Sequence, residues 1–235
     1  MNLLLLEEAD FVSADRVRLS GRRLQHMLGI QQVAAGDTLR VGQLNGLMGQ
    51  GVVTALTADH ADMAIRLTEV PPPKLDLTLV LAMPRPKMFR RIMQHCATLG
   101  VARIVLINSY RVEKSYWQTP FLEAGALRDT LLLGLEQARD TVLPEVRIEK
   151  RFKPFVEDHL PALVQGNQAL IAHPGTYPPC PRALAGPVSL AIGPEGGWIP
   201  YEVDKLIEAG FHPVQLGPRI LRVETAVTAL IGRLF

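Results

Sequence analysis

Cysteine is scarce in this chain of 235 residues, and its scarcity excludes several kinds of site. Cys96 and Cys180 are far apart in the sequence and form no CxxC motif, so neither a disulfide framework nor a zinc site of the usual spacing is expected. None of the six histidines falls in an HxxxH or HxH pair. We therefore expect that the function of the protein involves no metal ion.

Long apolar runs are also lacking. The longest, such as residues 3–6, are far shorter than the roughly 20 residues that a membrane-spanning helix needs. The leading leucines follow no basic segment, as they would in a secretory signal peptide. With 48% hydrophobic and 20% charged residues, the composition is typical of a folded protein. These features predict a soluble, cytoplasmic protein with no membrane partner.

Neither sign of charge dominates, since the net charge is only +2. The total therefore does not indicate a nucleic-acid partner. Its distribution is more informative, because residues 84–91 (PRPKMFRR) contain four basic side chains and no acidic one. This run is either the solvated face of a helix or a contact for a phosphate backbone.

A run of three prolines within residues 70–74 divides the chain, because such a run fits neither a helix nor a central strand. Before it, residues 1–72 contain short alternating runs separated by turn signals, which predict a small antiparallel β-barrel. One helix is expected at residues 21–28, with Ser20 as its N-cap. After it, residues 73–235 show near-continuous apolar strands alternating with helices, which predicts an α/β domain with a parallel sheet.

The last three predicted strands each run into a loop that contains glycine and proline. The strands are residues 168–172, 188–192 and 213–216, and the loops begin at His173, at Gly193 (GPEGGW) and at Gly217 (GPRILR). Ligands of open α/β sheets bind at the carboxyl ends of strands, so we expect the three loops to converge on one crevice. Neither a P-loop nor a GxGxxG motif is present. Taken alone, the GPEGG segment is more typical of a tight turn between a strand and a helix than of a ligand-binding loop.

Two long segments carry a resemblance to a known family. LAIGPEGGWIPYEVDKLIEAGF (residues 190–211) and LGPRILRVETAVTAL (residues 216–230) resemble the ribosomal RNA small subunit methyltransferase E family, the 16S rRNA uridine N3-methyltransferases of the SPOUT superfamily. Fainter similarity covers most of the chain. The resemblance implies an α/β fold whose C-terminal SPOUT-type parallel sheet (residues 73–235) contains a deep trefoil knot. It also implies a small N-terminal PUA-like β-barrel (residues 1–72) that binds RNA.

The family's reaction is the transfer of a methyl group from S-adenosyl-L-methionine to N3 of a uridine in 16S rRNA of the 30S subunit, at position 1498 in the usual rRNA numbering. The resemblance further implies a homodimer with the site near its interface. The chain departs from the family at Arg85-Pro86-Lys87, where Lys-Gly is common, and at His173-Pro174, where an acidic residue is often found.

The expected roles of individual residues follow from the resemblance and from the chemistry of methyl transfer. Arg222 would stabilise the developing uridine anion, and Glu224 or Glu195 would receive the N3 proton. The expected cofactor-binding residues are His173, Gly193, Pro194, Glu195, Gly197, Leu216, Gly217, Ile220, Leu221, Arg222, Thr225 and Ala226. The expected RNA-binding residues are Arg22, Arg23, Arg85, Lys87, Arg90, Arg91 and Arg219.

Three alternatives remain open at this stage. The chain could act on another RNA, such as tRNA, with the same fold. It could also be a non-catalytic RNA-binding ribosome assembly factor, although both intact loop motifs argue against that. The N-terminal region could support solubility and dimer formation without touching RNA.

Overall fold

The computed structural model describes residues 2–235 and divides into two compact units. The first unit comprises Met1–Pro73 together with Leu132–Leu143, and the second comprises Lys74–Leu131 together with Pro144–Phe235. Each unit is therefore built from two stretches of chain.

The first unit contains a six-stranded sheet in the order β1-β4-β5-β6-β3-β2. Helix α1 (Gly21–His26) begins after Ser20 as expected, although the Ser20 side chain makes no capping hydrogen bond, and α1 continues into a π-helical turn. The strands are β1 (Leu4–Leu6), β2 (Phe11–Ser13), β3 (Arg16–Leu19), β4 (Thr38–Gln43), β5 (Met48–Leu56) and β6 (Ala61–Glu69).

This sheet differs from the expected antiparallel barrel. It is an open, curled half-barrel, because its edge strands β1 and β2 pair with no further strand within residues 2–235. One pair is also parallel, since β1 lies beside β4 with Leu4 opposite Val41. Between these two strands the chain forms β2, β3 and α1, and this long crossover lets β4 run in the same direction as β1. Buried side chains such as Leu6, Val17 and Met63 form the core of the unit.

The second unit contains a six-stranded sheet in the order β12-β10-β11-β7-β8-β9, in which every pair is parallel. The predicted parallel α/β sheet is confirmed. Its strands are β7 (Leu75–Ala82), β8 (Val101–Ile107), β9 (Glu145–Glu149), β10 (Gln168–Ala172), β11 (Val188–Ile192) and β12 (His212–Val214). The remaining helices are α2 (Pro86–Thr98), α3 (Ala124–Ala138), α4 (Phe152–Pro154), α5 (Leu160–Val164), α6 (Pro200–Glu208) and α7 (Val223–Leu234).

Two element bounds differ from the sequence pattern. Where the pattern after residue 73 alternates strands with helices, the helical segment between β9 and β10 is interrupted by a π-helical turn (Phe155–His159), after which α5 starts one residue before Pro161. Proline has no N–H to donate to the preceding turn, so it favours a helix start at that point. Strand β12 ends at Val214 and not at residue 216, which leaves Gln215 and Leu216 in the following loop.

The sheet order places the three loop-bearing strands together. Strand β10 lies between β11 and β12 and is parallel to both. The loops that follow these strands therefore leave the sheet at the same edge.

Candidate functional site

The three loops line one cavity of about 330 Å³ at the carboxyl ends of β10, β11 and β12. This is the crevice that the loop positions predicted. Its volume is in the range of small-molecule sites in proteins. The wall is formed by residues 172–174, 192–198, 214–217 and 219–221, together with Arg111 and three residues of α7, namely Val223, Ala226 and Leu230.

Every residue expected to bind the cofactor lines this cavity except Arg222 and Thr225. Of the three catalytic candidates, only Glu195 lies on the wall. Arg222 is exposed at the N-cap of α7, where its carbonyl oxygen accepts a hydrogen bond from the Ala226 N–H (2.8 Å), and Glu224 lies in the first turn of the same helix. Arg219, expected at the RNA interface, is also a wall residue.

The GPEGG loop needs glycine at two positions for different reasons. A Cβ atom on Gly193 would lie only 3.2 Å from ring atoms of Trp198, so a side chain at that position would push the indole away by a few tenths of an ångström. Gly197 has φ of +73°, which side chains disfavour, and its N–H donates to the Pro194 carbonyl (2.7 Å). The resulting tight turn brings Trp198 back against Gly193.

A buried carboxylate, Glu202, joins this loop region to the loop after β8. Its Oε1 accepts a hydrogen bond from the Tyr110 N–H (2.7 Å), and its Oε2 accepts from the Ser109 hydroxyl (3.1 Å) and from the Ile199 N–H (3.0 Å). The sequence analysis missed Glu202. An acidic residue at the third position of a helix that starts with Pro200 is the signal that could have identified it.

Arg111 is a second residue that the sequence analysis missed. Its guanidinium donates a hydrogen bond to the Gly196 carbonyl in the GPEGG loop. A Cβ on Gly196 would lie 3.0 Å from Cδ of Arg111, so the arginine stem packs directly over that glycine. Arg111 thereby contributes a positive charge to the cavity wall.

Two buried ring nitrogens on the cavity residues have no hydrogen-bond partner within the protein: Nδ1 of His173 and Nε1 of Trp198. Burial lowers the pKa of His173, and the nearby charge of Arg111 lowers it further. The imidazole is therefore neutral at physiological pH. Since buried polar groups in proteins are almost always paired, these two nitrogens are consistent with a site for a ligand that has both apolar and polar parts.

Glu195 is held at the rim of the cavity by the segment that starts α2. Its Oε1 accepts a hydrogen bond from the backbone N–H of Arg85 (3.0 Å). The Arg85 Nε in turn donates to the hydroxyl of Tyr116 (3.3 Å), which donates to Glu113 (3.1 Å). The Glu195 side chain remains largely exposed to solvent.

The structure places the expected RNA-binding arginines in different surroundings. In the first unit, Arg22 forms a bidentate ion pair with Glu136 (2.7 and 3.0 Å). Arg23 is held between Asp10 and the Leu5 carbonyl (2.7 Å). In the second unit, the exposed face of α2 carries Lys87, Arg90 and Arg91.

Residues 2–235 lack two kinds of feature. The described part of the chain has no cluster of three or more His, Cys, Asp or Glu side chains that could hold a metal ion. It also has no helix of the length and apolar character needed to cross a bilayer.

Comparison with known proteins identifies relatives over nearly the full chain. The family of the RNA methyltransferase domain matches residues 71–234. The ribosomal RNA small subunit methyltransferase E of Treponema pallidum is 31% identical, and the alignment covers 97% of this chain and 88% of that protein. The protein of the same name from Synechocystis is 27% identical over 93% of this chain and 72% of its own length.

Solved structures share the fold. The ribosomal RNA small subunit methyltransferase E from Neisseria gonorrhoeae, bound to S-adenosyl methionine, has a TM-score of 0.79 at 24% identity, covering 98% of this chain and 95% of that one. A putative methyltransferase from Legionella pneumophila, in complex with the same cofactor, has a TM-score of 0.78 at 24% identity with the same coverage.

Proposed function

Because this chain belongs to the ribosomal RNA small subunit methyltransferase E family of RNA methyltransferases, we propose that it transfers the methyl group of S-adenosyl-L-methionine to N3 of a uridine in 16S rRNA of the 30S subunit. The observation that carries the proposal is the single cavity lined by the loops after β10, β11 and β12. The loops after β11 and β12 lie in the two segments, residues 190–211 and 216–230, on which the family resemblance rests.

The residues of the cavity fit S-adenosyl-L-methionine. The cofactor combines an aromatic base with charged and polar groups, and the wall combines apolar side chains such as Ile192 and Leu230 with unpaired ring nitrogens on His173 and Trp198. We propose that the remaining cofactor contacts come from the predicted residues that line the wall. Arg222 and Thr225 would contribute from the start of α7.

In the proposed mechanism the bound cofactor supplies an electrophilic methyl group, and the protein positions the uridine and accepts its N3 proton. Glu195 would accept this proton, and the position of its carboxylate at the cavity rim, where it accepts a hydrogen bond from the Arg85 N–H, supports that role. Arg219, on the wall, and Arg222, at the N-cap of α7, would be the cationic groups for the charge that develops on the uracil ring as N3 loses its proton. Glu224 is the alternative proton acceptor.

The target base must be unpaired when it reacts, because N3 lies on the Watson–Crick edge. We propose that Lys87, Arg90 and Arg91 contact RNA phosphates on either side of it, together with Arg85. The first unit would act as a PUA-like RNA-binding domain in which Arg22 contributes to the surface. We further propose that the second unit contains a trefoil knot and that the protein is a homodimer. A ribosomal substrate also implies a cytoplasmic location.

The test is transfer of labelled methyl from S-adenosyl-L-methionine to 30S subunits that lack the modification, with the product nucleoside identified by mass spectrometry. N3-methyluridine in 16S rRNA is the expected product. Methylated tRNA with unmodified 30S subunits would reassign the substrate. Cofactor binding without transfer to any of these RNAs would favour the non-catalytic assembly factor.

A further inference from the structure

The cavity contains a buried donor that is not among the residues expected from the sequence to bind the cofactor. Trp198 is only 3% exposed, and its Nε1 has no acceptor within the protein. We propose that this indole N–H donates a hydrogen bond to an acceptor atom of bound S-adenosyl-L-methionine, with Nδ1 of His173 making a second hydrogen bond from another loop. This inference rests on the proposed function, because it assumes that cofactor.

Packing alone does not account for a tryptophan at this position. The ring lies against Gly193, whose Cβ would be 3.2 Å from its Cδ1 and Cε2 atoms, and it makes a tilted contact with Phe152 at 6.3 Å between centroids. A phenylalanine could keep an aromatic contact here, with a smaller ring. What tryptophan adds besides ring size is the N–H, and burying that group without a partner destabilises the protein unless a ligand supplies the acceptor.

His173 presents the same situation on a neighbouring wall. It follows β10, whereas Trp198 belongs to the loop after β11, so the two nitrogens belong to two different loops around the cavity. The ring is packed against Tyr177 at 5.7 Å between centroids, and its Nδ1 has no partner. A neutral imidazole has one donor and one acceptor nitrogen, so Nδ1 can complete a hydrogen bond with either kind of cofactor group.

The proposal predicts a loss of cofactor affinity when Trp198 is replaced by phenylalanine. Because the phenyl ring is smaller than the indole, the melting temperature of the unliganded protein should fall whether or not the N–H binds the cofactor, so the affinity is the deciding measurement. The dissociation constant of Trp198→Phe for S-adenosyl-L-methionine should rise about five- to tenfold, the loss expected for one hydrogen bond. If the tryptophan only packs, the dissociation constant should stay unchanged.

The chain offers a matched control, because it contains only one other tryptophan. The indole N–H of Trp117 donates to Oδ1 of Asn108 (2.9 Å), and Trp117 is not a wall residue. Trp117→Phe should therefore lower the melting temperature and leave the dissociation constant unchanged.

A second pair of variants tests His173. His173→Leu should weaken the binding of S-adenosyl-L-methionine. His173→Asn, which keeps a polar atom near the place of Nδ1, should restore part of the lost affinity.

A direct measurement follows the two indole N–H signals by nuclear magnetic resonance during titration with S-adenosyl-L-methionine, alongside calorimetry. Trp198→Phe identifies its signal, which should move downfield and exchange more slowly with water when the cofactor saturates the protein. Saturation without any change of that signal, or unchanged affinity of Trp198→Phe, would overturn this inference and leave the proposed function intact. A wild-type protein that binds no S-adenosyl-L-methionine would overturn both.

Discussion

At the scale of single residues, the structure separates arginines that bind within the protein from arginines that face solvent. Arg23 is the clearest case, since its side chain is only 17% exposed and that of its partner Asp10 only 10%. The guanidinium of such an arginine is already bound within the protein, so it stabilises the fold and is not free to contact RNA. Arg18 provides the contrast, because it pairs with Asp62 on the exposed side of the same sheet.

Replacing Arg23 by alanine should therefore destabilise the protein and leave the RNA affinity of the folded protein unchanged. The expected loss is about 3 kcal/mol of unfolding free energy, because the Asp10 carboxylate would remain buried without its partner. Chemical denaturation measures the loss, and Arg18→Ala is the control, for which we expect a much smaller change. A large loss of RNA affinity in folded Arg23→Ala would restore Arg23 as an RNA contact.

His173 should make stability depend on pH. Its pKa in the folded protein lies below the ordinary value of 6.5, because burial and Arg111 disfavour the charged ring. As the pH falls through 6.5, the unfolded chain takes up a proton that the folded protein does not, so the unfolding free energy decreases until the folded ring is also protonated. His26 also has a lowered pKa, so the difference between wild type and His173→Asn is the quantity to measure. A difference that stays constant below pH 7 would contradict this prediction.

At the scale of elements, loops from two places in the second unit are joined by one side chain. Glu202 at the start of α6 accepts hydrogen bonds from the end of its own loop and from the loop after β8. All of these donors point at carboxylate oxygens, and the side chain is 2% exposed. Glu202 therefore holds the GPEGG loop and the loop after β8 together, although it does not itself line the cavity.

Replacing Glu202 by glutamine should cost about 2 kcal/mol of unfolding free energy, because one acceptor oxygen becomes an NH₂ group that faces donors. Cofactor affinity should fall as well, since the loops lose their common anchor. Thermal unfolding and calorimetry measure the two effects. Glu208→Gln, at the exposed end of the same helix, is the control and should change neither. Equal unfolding free energies and equal cofactor affinities of the two variants would show that the hydrogen bonds of Glu202 contribute little to either.

Helix α2 has an apolar face, with Phe89 and Ile92 buried, and an exposed basic face formed by Lys87, Arg90 and Arg91. If each basic residue neutralises one phosphate, changing all three to glutamine should reduce the slope of log affinity against log salt by about 2. Binding assays over a range of salt concentrations measure that slope. Lys153→Gln on α4 is the control, and an unchanged slope in the triple variant would identify this face as merely solvated.

At the scale of the whole molecule, one unit contains the entire cavity wall, because all of its residues belong to Lys74–Leu131 or Pro144–Phe235. The other unit provides a mostly antiparallel sheet with its own core. Ligand binding should therefore act on the stability of the second unit directly.

S-adenosyl-L-methionine at one hundred times its dissociation constant should add about 2.7 kcal/mol to the stability of the unit that binds it. Thermal unfolding with increasing cofactor measures this, and the melting temperature should rise with the logarithm of its concentration. Adenosine or methionine alone should give a smaller rise at equal concentration. A melting temperature that does not respond would show that the cavity does not hold this cofactor.

Much of this architecture is determined by the sequence itself, because it depends on neighbours along the chain. Strands β10 and β11 have the predicted bounds, since their apolar residues are followed at once by His173-Pro174 and by Gly193-Pro194. The α/β class and the convergence of three loops follow from the same periodicity. The prolines and glycines that end these strands act locally, so their effect can be read without a structure.

Only the tertiary structure decided the contacts between residues that are distant in sequence. The parallel pairing of β1 with β4, the bonds of Glu202 to Ser109 and Tyr110, and the charge of Arg111 on the cavity wall all depend on how elements pack. No local pattern marks a partner 90 residues away. The sequence also could not show that His173 and Trp198 have ring nitrogens without partners. Whether a buried polar group finds a hydrogen-bond partner depends on every element that packs around it.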